Sequence, residues 1–211
     1  MPTKKDRHVE LVRQWVAERD KREKYQWQQL WHLKNEPATW VDATASKAHN
    51  KVFAAIDCKR CANCCYKIGP AFRPYEINDF AQSLGLTTDS LIEQYLKWDP
   101  TESIYEARSK PCPFLGKDQL CTVYEHRPES CRQYPHTDSS DFANSRYMHA
   151  NNSAVCPAVY HVIEELIEAR KNKKAEEKFE RMLLKLHEYE KEIGLASDNS
   201  LSSEPSPPPV S

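Results

Sequence analysis

Between residues 4 and 34, apolar side chains return at helical intervals, Val9, Val12 and Val16 first and then Trp27, Leu30 and Trp31, with charges between them. A period near 3.6 predicts one amphipathic helix. Pro37, which cannot continue it, marks its end. Val41, Ala45, Ala48, Val52 and Ile56 repeat the spacing and predict a second helix from about Thr39 to Ile56, running directly into Cys58. Pro74 opens a short helix carrying Ile77, Phe80, Ala81 and Leu84, and Gly85 stops it. Thr88 then caps another through Leu91, Ile92, Tyr95 and Leu96.

From Cys112 to Tyr124 the pattern becomes two apolar arms around a turn containing Gly116, which predicts a β-hairpin with Cys112 on one arm and Cys121 on the other. Arg127-Pro128 starts a helical turn bearing Cys131, and the polar residues His136 to Asn152 read as a loop. After Cys156-Pro157, Val159, Val162, Ile163, Leu166 and Ile167 predict one helix. Phe179, Met182, Leu183 and Leu186 predict a second, ended by Gly194. The Ser-, Asn- and Pro-rich residues from Ala196 onward hold too little apolar surface to order themselves. No internal repeat is present.

With 39% hydrophobic and 29% charged residues in a chain of 211, only a modest core can be buried, and a metal staple would reinforce it. The net charge of -1 gives no global pull toward nucleic acid. The first 34 residues carry nine Lys or Arg against five Asp or Glu, an excess that a solvated helix face accounts for. Lys59, Arg60 and Lys67 are the sole hint of a nucleic-acid contact, so nucleic acid is not an expected partner. No apolar run reaches the length of a bilayer span, so no membrane association is expected. The charged start, Met1 to His8, lacks the apolar stretch of a secretory signal. A cytoplasmic setting with reduced thiols is therefore expected.

That setting matters because all eight cysteines fall between Cys58 and Cys156, four of them in the run Cys58-Lys-Arg-Cys61-Ala-Asn-Cys64-Cys65. Cysteines used as small core residues would be scattered among the helices. Sulfurs this crowded strain the geometry of disulfides among themselves, whereas a metal accepts them. C-x2-C spacing lets two thiolates reach one ion through a tight turn whose backbone amides point at sulfur. Cys58, Cys61 and Cys64 match the ferredoxin-type run, in which three local thiolates are joined by a remote Cys-Pro. Cys112-Pro113 and Cys156-Pro157 are candidates for that remote step. Either one completes a first site and leaves Cys65, Cys121, Cys131 and the other for a second. A bridged binuclear centre at Cys64 and Cys65, or a redox-active pair, are further readings of the same residues. Ligand type alone does not separate zinc from iron–sulfur. The triplet and the Cys-Pro steps favour iron–sulfur, of the [4Fe-4S] kind.

Four thiolates around zinc(II) or a [4Fe-4S] cube form a net dianion. Arg127 and Arg132 are the candidate cofactor-binding cations, able to neutralise it and donate to sulfur. Surface pairing of Arg127 with Glu125 is the competing reading. Tyr124 and Tyr134 are expected to pack in the core with satisfied hydroxyls. The eight histidines, His126, His136 and His149 among them, are expected at the surface or in loops.

Cys58-x2-Cys61-x2-Cys64-Cys65, Cys112-Pro-Phe-Leu, the run from Cys121-Thr-Val-Tyr124 through Arg127-Pro128 to Cys131-Arg132-Gln-Tyr134-Pro135, and Cys156-Pro157 together resemble a known family. It is the CxxCxxCC, or YkgJ-type, cysteine-cluster family, and the resemblance covers roughly residues 56 to 160. It implies chelation of zinc or iron through the eight cysteines in a bacterial, intracellular protein, and little about a reaction. A related cysteine pattern occurs in flagellin lysine methylases associated with an iron–sulfur cluster.

The glycines, Gly69, Gly85, Gly116 and Gly194, leave no G-x-G-x-x-G or P-loop for phosphates. Neither an H-E-x-x-H helix nor a G-x-S-x-G elbow is present. With all eight thiolates as ligands no coordination position stays open, which suits structure or electron transfer better than Lewis-acid catalysis. The chain thus reads as mainly α with a small β-hairpin, a cysteine-rich metal-binding core flanked by N- and C-terminal amphipathic helices. The expected parts are a helical region 1–56, a cysteine-cluster domain 57–160, C-terminal helices 161–194 and a disordered tail 195–211. The leading function is to hold one or two cysteine-ligated centres, iron–sulfur before zinc, in a redox or structural role. The alternatives are a structural zinc module that docks a protein partner through its terminal helices, and a cluster-dependent protein-modifying enzyme.

Overall fold

Thr3 starts the first helix by accepting the Asp6 N–H at 3.2 Å, while the Asp6 carboxylate accepts the Thr3 N–H at 2.9 Å. This reciprocal cap satisfies two amide donors that the first turn would leave unpaired. In the computed structural model, which describes residues 3–193, helix α1 runs Lys4–His32 and α2 runs Ala38–Phe53. Two short helices follow, α3 at Cys58–Cys61 and α4 at Asn63–Lys67, then strand β1 at Ala71–Phe72. Helices α5 (Ile77–Ser83) and α6 (Thr88–Tyr95) lead into strands β2 (Leu96–Asp99) and β3 (Ile104–Ala107). Helices α7 (Glu129–Gln133), α8 (Arg146–Ser153) and α9 (Pro157–Glu192) complete the order. The protein is mainly α, with one small three-stranded antiparallel sheet in the order β1-β3-β2.

Two apolar clusters set the frame. In the first, Leu30 and Leu33, then Val41, Ala45 and Val52 of α2, close on Phe142, Ala150 of α8, and Val159, Ile163 and Leu166 of α9. In the second, Phe72, Phe80, Leu91 and Leu96 pack with Phe114 and Val123. Each large apolar side chain so buried contributes about 1.5–3 kcal/mol. The cysteine-bearing segments sit where these clusters meet: Cys156 packs on the first, Cys112 and Cys121 on the second.

Several elements differ from the sequence expectation for identifiable reasons. The cap of α6 is Thr87, whose hydroxyl accepts the Ser90 N–H at 3.2 Å, not Thr88. Leu96 leaves the helix for β2, where Trp98 lies opposite Tyr105 and their rings meet edge to face at 4.9 Å. The expected hairpin shrinks to a single bridge, Leu115 to Cys121. A Cβ on Gly116 would stand 2.6 Å from the Asp118 carboxylate, which can swing aside, and 3.1 Å from the Leu120 carbonyl, so a side chain there would crowd the turn. The stretch expected as a loop from His136 to Asn152 contains α8, which buries His149, Ala150 and Ser153, a face too polar to stand out by hydropathy. The two expected C-terminal helices are one helix, Pro157–Glu192, because no Pro or Gly interrupts its Lys- and Glu-rich middle. Gly194 and the expected tail lie outside the described residues.

The chain divides into two units, residues 1–168 and 169–211. Both apolar clusters and every cysteine belong to the first. In the second, Phe179, Met182 and Leu186 are more than half exposed. Among the described residues no helix is long and apolar enough to cross a membrane.

Candidate metal centre

Asp57 begins the site by accepting the Lys59 N–H at 3.1 Å, which caps α3. Ala62, buried and in the left-handed conformation at φ 47°, then reverses the chain so that α4 departs in a new direction. That conformation costs an L-residue about 1–2 kcal/mol, so the elbow between Cys61 and Cys64 is held by its surroundings. One holding contact is the Asn63 side-chain amide, which donates to the Val155 carbonyl next to Cys156. A second is the Cys112 N–H, which donates to the Cys65 carbonyl at 2.8 Å. Ser130, beside Cys131, donates its hydroxyl to the Ala71 carbonyl at 2.6 Å.

These contacts bring all eight cysteines, Cys58, Cys61, Cys64, Cys65, Cys112, Cys121, Cys131 and Cys156, to the wall of one cavity of about 470 Å³. All are free thiols. Backbone amides point at several of the sulfurs: Asn63 at Cys61, Phe114 at Cys112, Val123 at Cys121, and Ala158 and Val159 at Cys156. Such donors stabilise thiolate over thiol, as a metal-binding turn requires. The donor set and its amides therefore fit a thiolate-bound metal. Among the described residues, however, no three His, Cys, Asp or Glu side chains stand close enough together to hold an ion as they are. The sulfurs line the cavity walls.

Burial governs the thiols in this state. It pushes Cys112 and Cys156 up to about 12 and Cys131 up to about 11, and raises Cys61 and Cys121. Cys58 is exposed as a residue, yet crowding around its thiol pushes it up to about 11. The exception is Cys65, pulled down to about 7 first by the hydrogen bond with Cys64 and then by the Arg127 charge; the same bond, with burial, raises Cys64.

Arg127 lines the cysteine cavity, donates from Nε to the Tyr124 carbonyl at 2.9 Å and stacks its guanidinium 3.7 Å from the Tyr124 ring centre. Lys59, absent from the site expectation, places Nζ 4.2 Å from the same ring. Arg132 is placed differently. It donates to the Arg127 carbonyl and lines a neighbouring cavity of about 260 Å³.

Two expectations are corrected. The buried Tyr134 hydroxyl is not satisfied in a core: it lacks an oxygen or nitrogen partner and faces the Cys156 sulfur. The histidines are not all superficial, since His8, His149 and His161 are buried. Asn63 and Lys59 carried no signal beyond their nearness to cysteine, because their roles depend on residues far along the chain, Val155 at 92 positions from Asn63 and Tyr124 at 65 from Lys59.

One family model, CxxCxxCC, described as "Putative zinc- or iron-chelating domain", matches residues 57–157. This segment is similar to that domain. Its ends fall one residue before Cys58 and one after Cys156, so the matched span and the cysteine-bearing span coincide. Searches of curated proteins and of solved structures found no match.

Proposed function

We propose that the chain binds iron or zinc through the thiolates of its CxxCxxCC segment, in one or two centres, with iron–sulfur favoured over zinc. The observation that carries this reading is the convergence of eight free cysteines, drawn from five separate stretches of chain, on one cavity. An apolar core does not need cysteine at every one of those positions. The residues that would hold the group are Cys58, Cys61, Cys64, Cys65, Cys112, Cys121, Cys131 and Cys156. When bound, iron–sulfur supplies one-electron transfer and zinc a structural cross-link.

The chain's own part is electrostatic and mechanical. Arg127 opposes the negative charge that accumulates as thiols ionise, and the amides after Cys61, Cys112, Cys121 and Cys156 do the same at single sulfurs. Arg132 fixes the Arg127 backbone. The preference for iron rests on the Cys58, Cys61, Cys64 triplet and the Cys-Pro steps, together with a largely apolar wall that includes Ile56, Phe80 and Phe114. A cytoplasmic location is the setting in which these thiols stay reduced. Anaerobic purification, followed by metal analysis and an absorption spectrum, tests the reading. Iron, sulfide and absorption near ~400 nm support it; stoichiometric zinc in a colourless protein keeps chelation and rejects the iron–sulfur preference; a metal-free, fully folded protein rejects both.

A second role is favoured by the exposed apolar stripe of the C-terminal half of α9, which we read as the surface for a protein partner, a second copy of this chain.

A further inference from the structure

The eight sulfurs share a cavity but reach it from two sides. On one side, Cys58, Cys61 and Cys64 stand on α3 and α4 just after α2, and Cys156 stands at the foot of α9, packed on the first apolar cluster. The Asn63 amide bonded to the Val155 carbonyl ties this loop to the residue before Cys156. The orphaned Tyr134 hydroxyl looks into the same group, facing Cys156 with Cys64 and Cys61 beside it. On the other side, the Cys112 amide bonds the Cys65 carbonyl, and Cys112 and Cys121 sit at the root of the Leu115–Cys121 bridge, both against the second cluster. Cys131 joins them through Ser130, which both donates to and accepts from Ala71 of β1.

The dividing line runs through the Cys64–Cys65 peptide bond. Successive residues on a helix leave it about 100° apart, so Cys64 and Cys65 start on different bearings, although their thiols stay in hydrogen-bond contact at this step. We infer that the domain holds two separate four-sulfur sites, Cys58, Cys61, Cys64 and Cys156 forming one and Cys65, Cys112, Cys121 and Cys131 the other. The electrostatic neighbours follow the division in part. Cys156 feels Cys58 and Cys61, while Cys112 and Cys131 both feel Cys65 and Cys121. The sets touch where Cys64 hydrogen-bonds Cys65 and feels Cys131, and where Cys61 feels Cys65, which is where a single bridged centre would have to form. Arg127 acts on Cys65, Cys121 and Cys131 of the second set and on Cys58 alone of the first, so the second site carries the stronger counter-charge. Filling either site with a divalent ion releases the protons of four thiols and leaves a dianion, and two such charges are better borne by two pockets with separate donors than by one.

This partition rests on the chelation reading above, and the test separates the two. The reduced wild-type chain is loaded with ¹¹³Cd(II) alone and studied by ¹H–¹¹³Cd correlation. The expected spectrum has two cadmium resonances, each coupled to the β-protons of four cysteines, grouped as stated. One resonance, a cysteine coupled to both, or any other grouping overturns the partition and leaves chelation standing. No bound cadmium overturns chelation with it. Native mass spectrometry of Zn(II)-loaded variants gives a second arm: wild type carries two ions, and Cys156→Ser and Cys121→Ser each retain one. Loss of both ions from either variant, at unchanged helical circular dichroism, overturns the partition.

Discussion

The indole N–H of Trp15 donates to the Ser153 carbonyl at 2.9 Å, joining residues 138 positions apart. Seven residues earlier on α1, His8 accepts the Asp57 N–H at 3.1 Å. The N-terminal helix, which bears no cysteine, thus pins the chain just before Cys58 and just before Cys156. It sets the distance between the two ends of the CxxCxxCC segment. Trp15→Phe removes the donor, leaves a buried carbonyl unpaired and opens a small void, and should cost about 2 kcal/mol of stability in urea unfolding. Metal affinity should fall with it although Trp15 touches no sulfur, because Cys156 loses its fixed position. Unchanged unfolding would show that this bond does not secure the site.

His149 is fully buried, stacked on Phe142 at 4.0 Å between ring centres, and neither ring nitrogen has a partner. Burial, aided by the nearby His136, pushes it down to about 4. The folded value lies below the unfolded one near ~6.5, so the fold favours the neutral ring. The stability this contributes is complete above about pH 6.5 and is lost as pH falls from there toward 4, reaching about 3 kcal/mol. His149→Phe keeps the stack and gives up no hydrogen bond. Stability at pH 7.5 should hardly change, while urea midpoints between pH 6.5 and 4 should fall less steeply than in wild type. Parallel pH profiles for the two proteins would contradict this.

Arg127 is the charge closest in effect to Cys65, Cys121 and Cys131. Arg127→Gln keeps the size and some donor capacity but removes the charge, and apparent metal affinity at pH 7 should drop on the order of tenfold in competition with a chromophoric chelator. Arg127→Lys should fall between the two, since it keeps the charge and loses the bond from Nε to the Tyr124 carbonyl. Equal affinities in all three proteins would make Arg127 a cation stacked on Tyr124 and nothing more.

What could be read in advance follows the range of the forces involved. Helix α2 was legible because Val41, Ala45, Ala48 and Val52 bury one regular face, whereas of the stripe expected for α1 only Leu30 is buried, Val9, Val16 and Trp31 are exposed, and the buried face is His8, Trp15, Gln26 and Leu30. Gly85 at φ 68° ends α5 by purely local chemistry, and the cysteine spacing pointed to the domain now matched. The short strands were not legible: Leu96 suits a helix as well as a strand, and only pairing with Ala107 decides it. α8 was missed because His149 and Ser153 are buried polar residues whose face becomes internal only when α1 covers it. Within the site, composition named the sulfurs, but their grouping depends on bonds such as Cys112 to Cys65 that no local pattern encodes.

The C-terminal half of α9 carries the last prediction. Phe179, Met182, Leu186, Tyr189 and Ile193 recur at alternating steps of three and four, the a and d spacing of a coiled coil, and each is between 47% and 57% exposed. In that register Lys185 falls at g and Glu190 at e, so parallel copies would pair opposite charges across the seam. The stripe covers little more than two heptads, which sets the expectation of weak association, on the order of micromolar, and not of an obligate dimer. Sedimentation equilibrium of the full chain should show concentration-dependent dimers, and Met182→Glu with Leu186→Glu should abolish them without altering metal content, because every cysteine lies in the other unit. A chain that stays monomeric at high concentration would remove the second copy as the occupant of this face, and loss of metal in the double variant would show that the helix serves the cysteine domain instead.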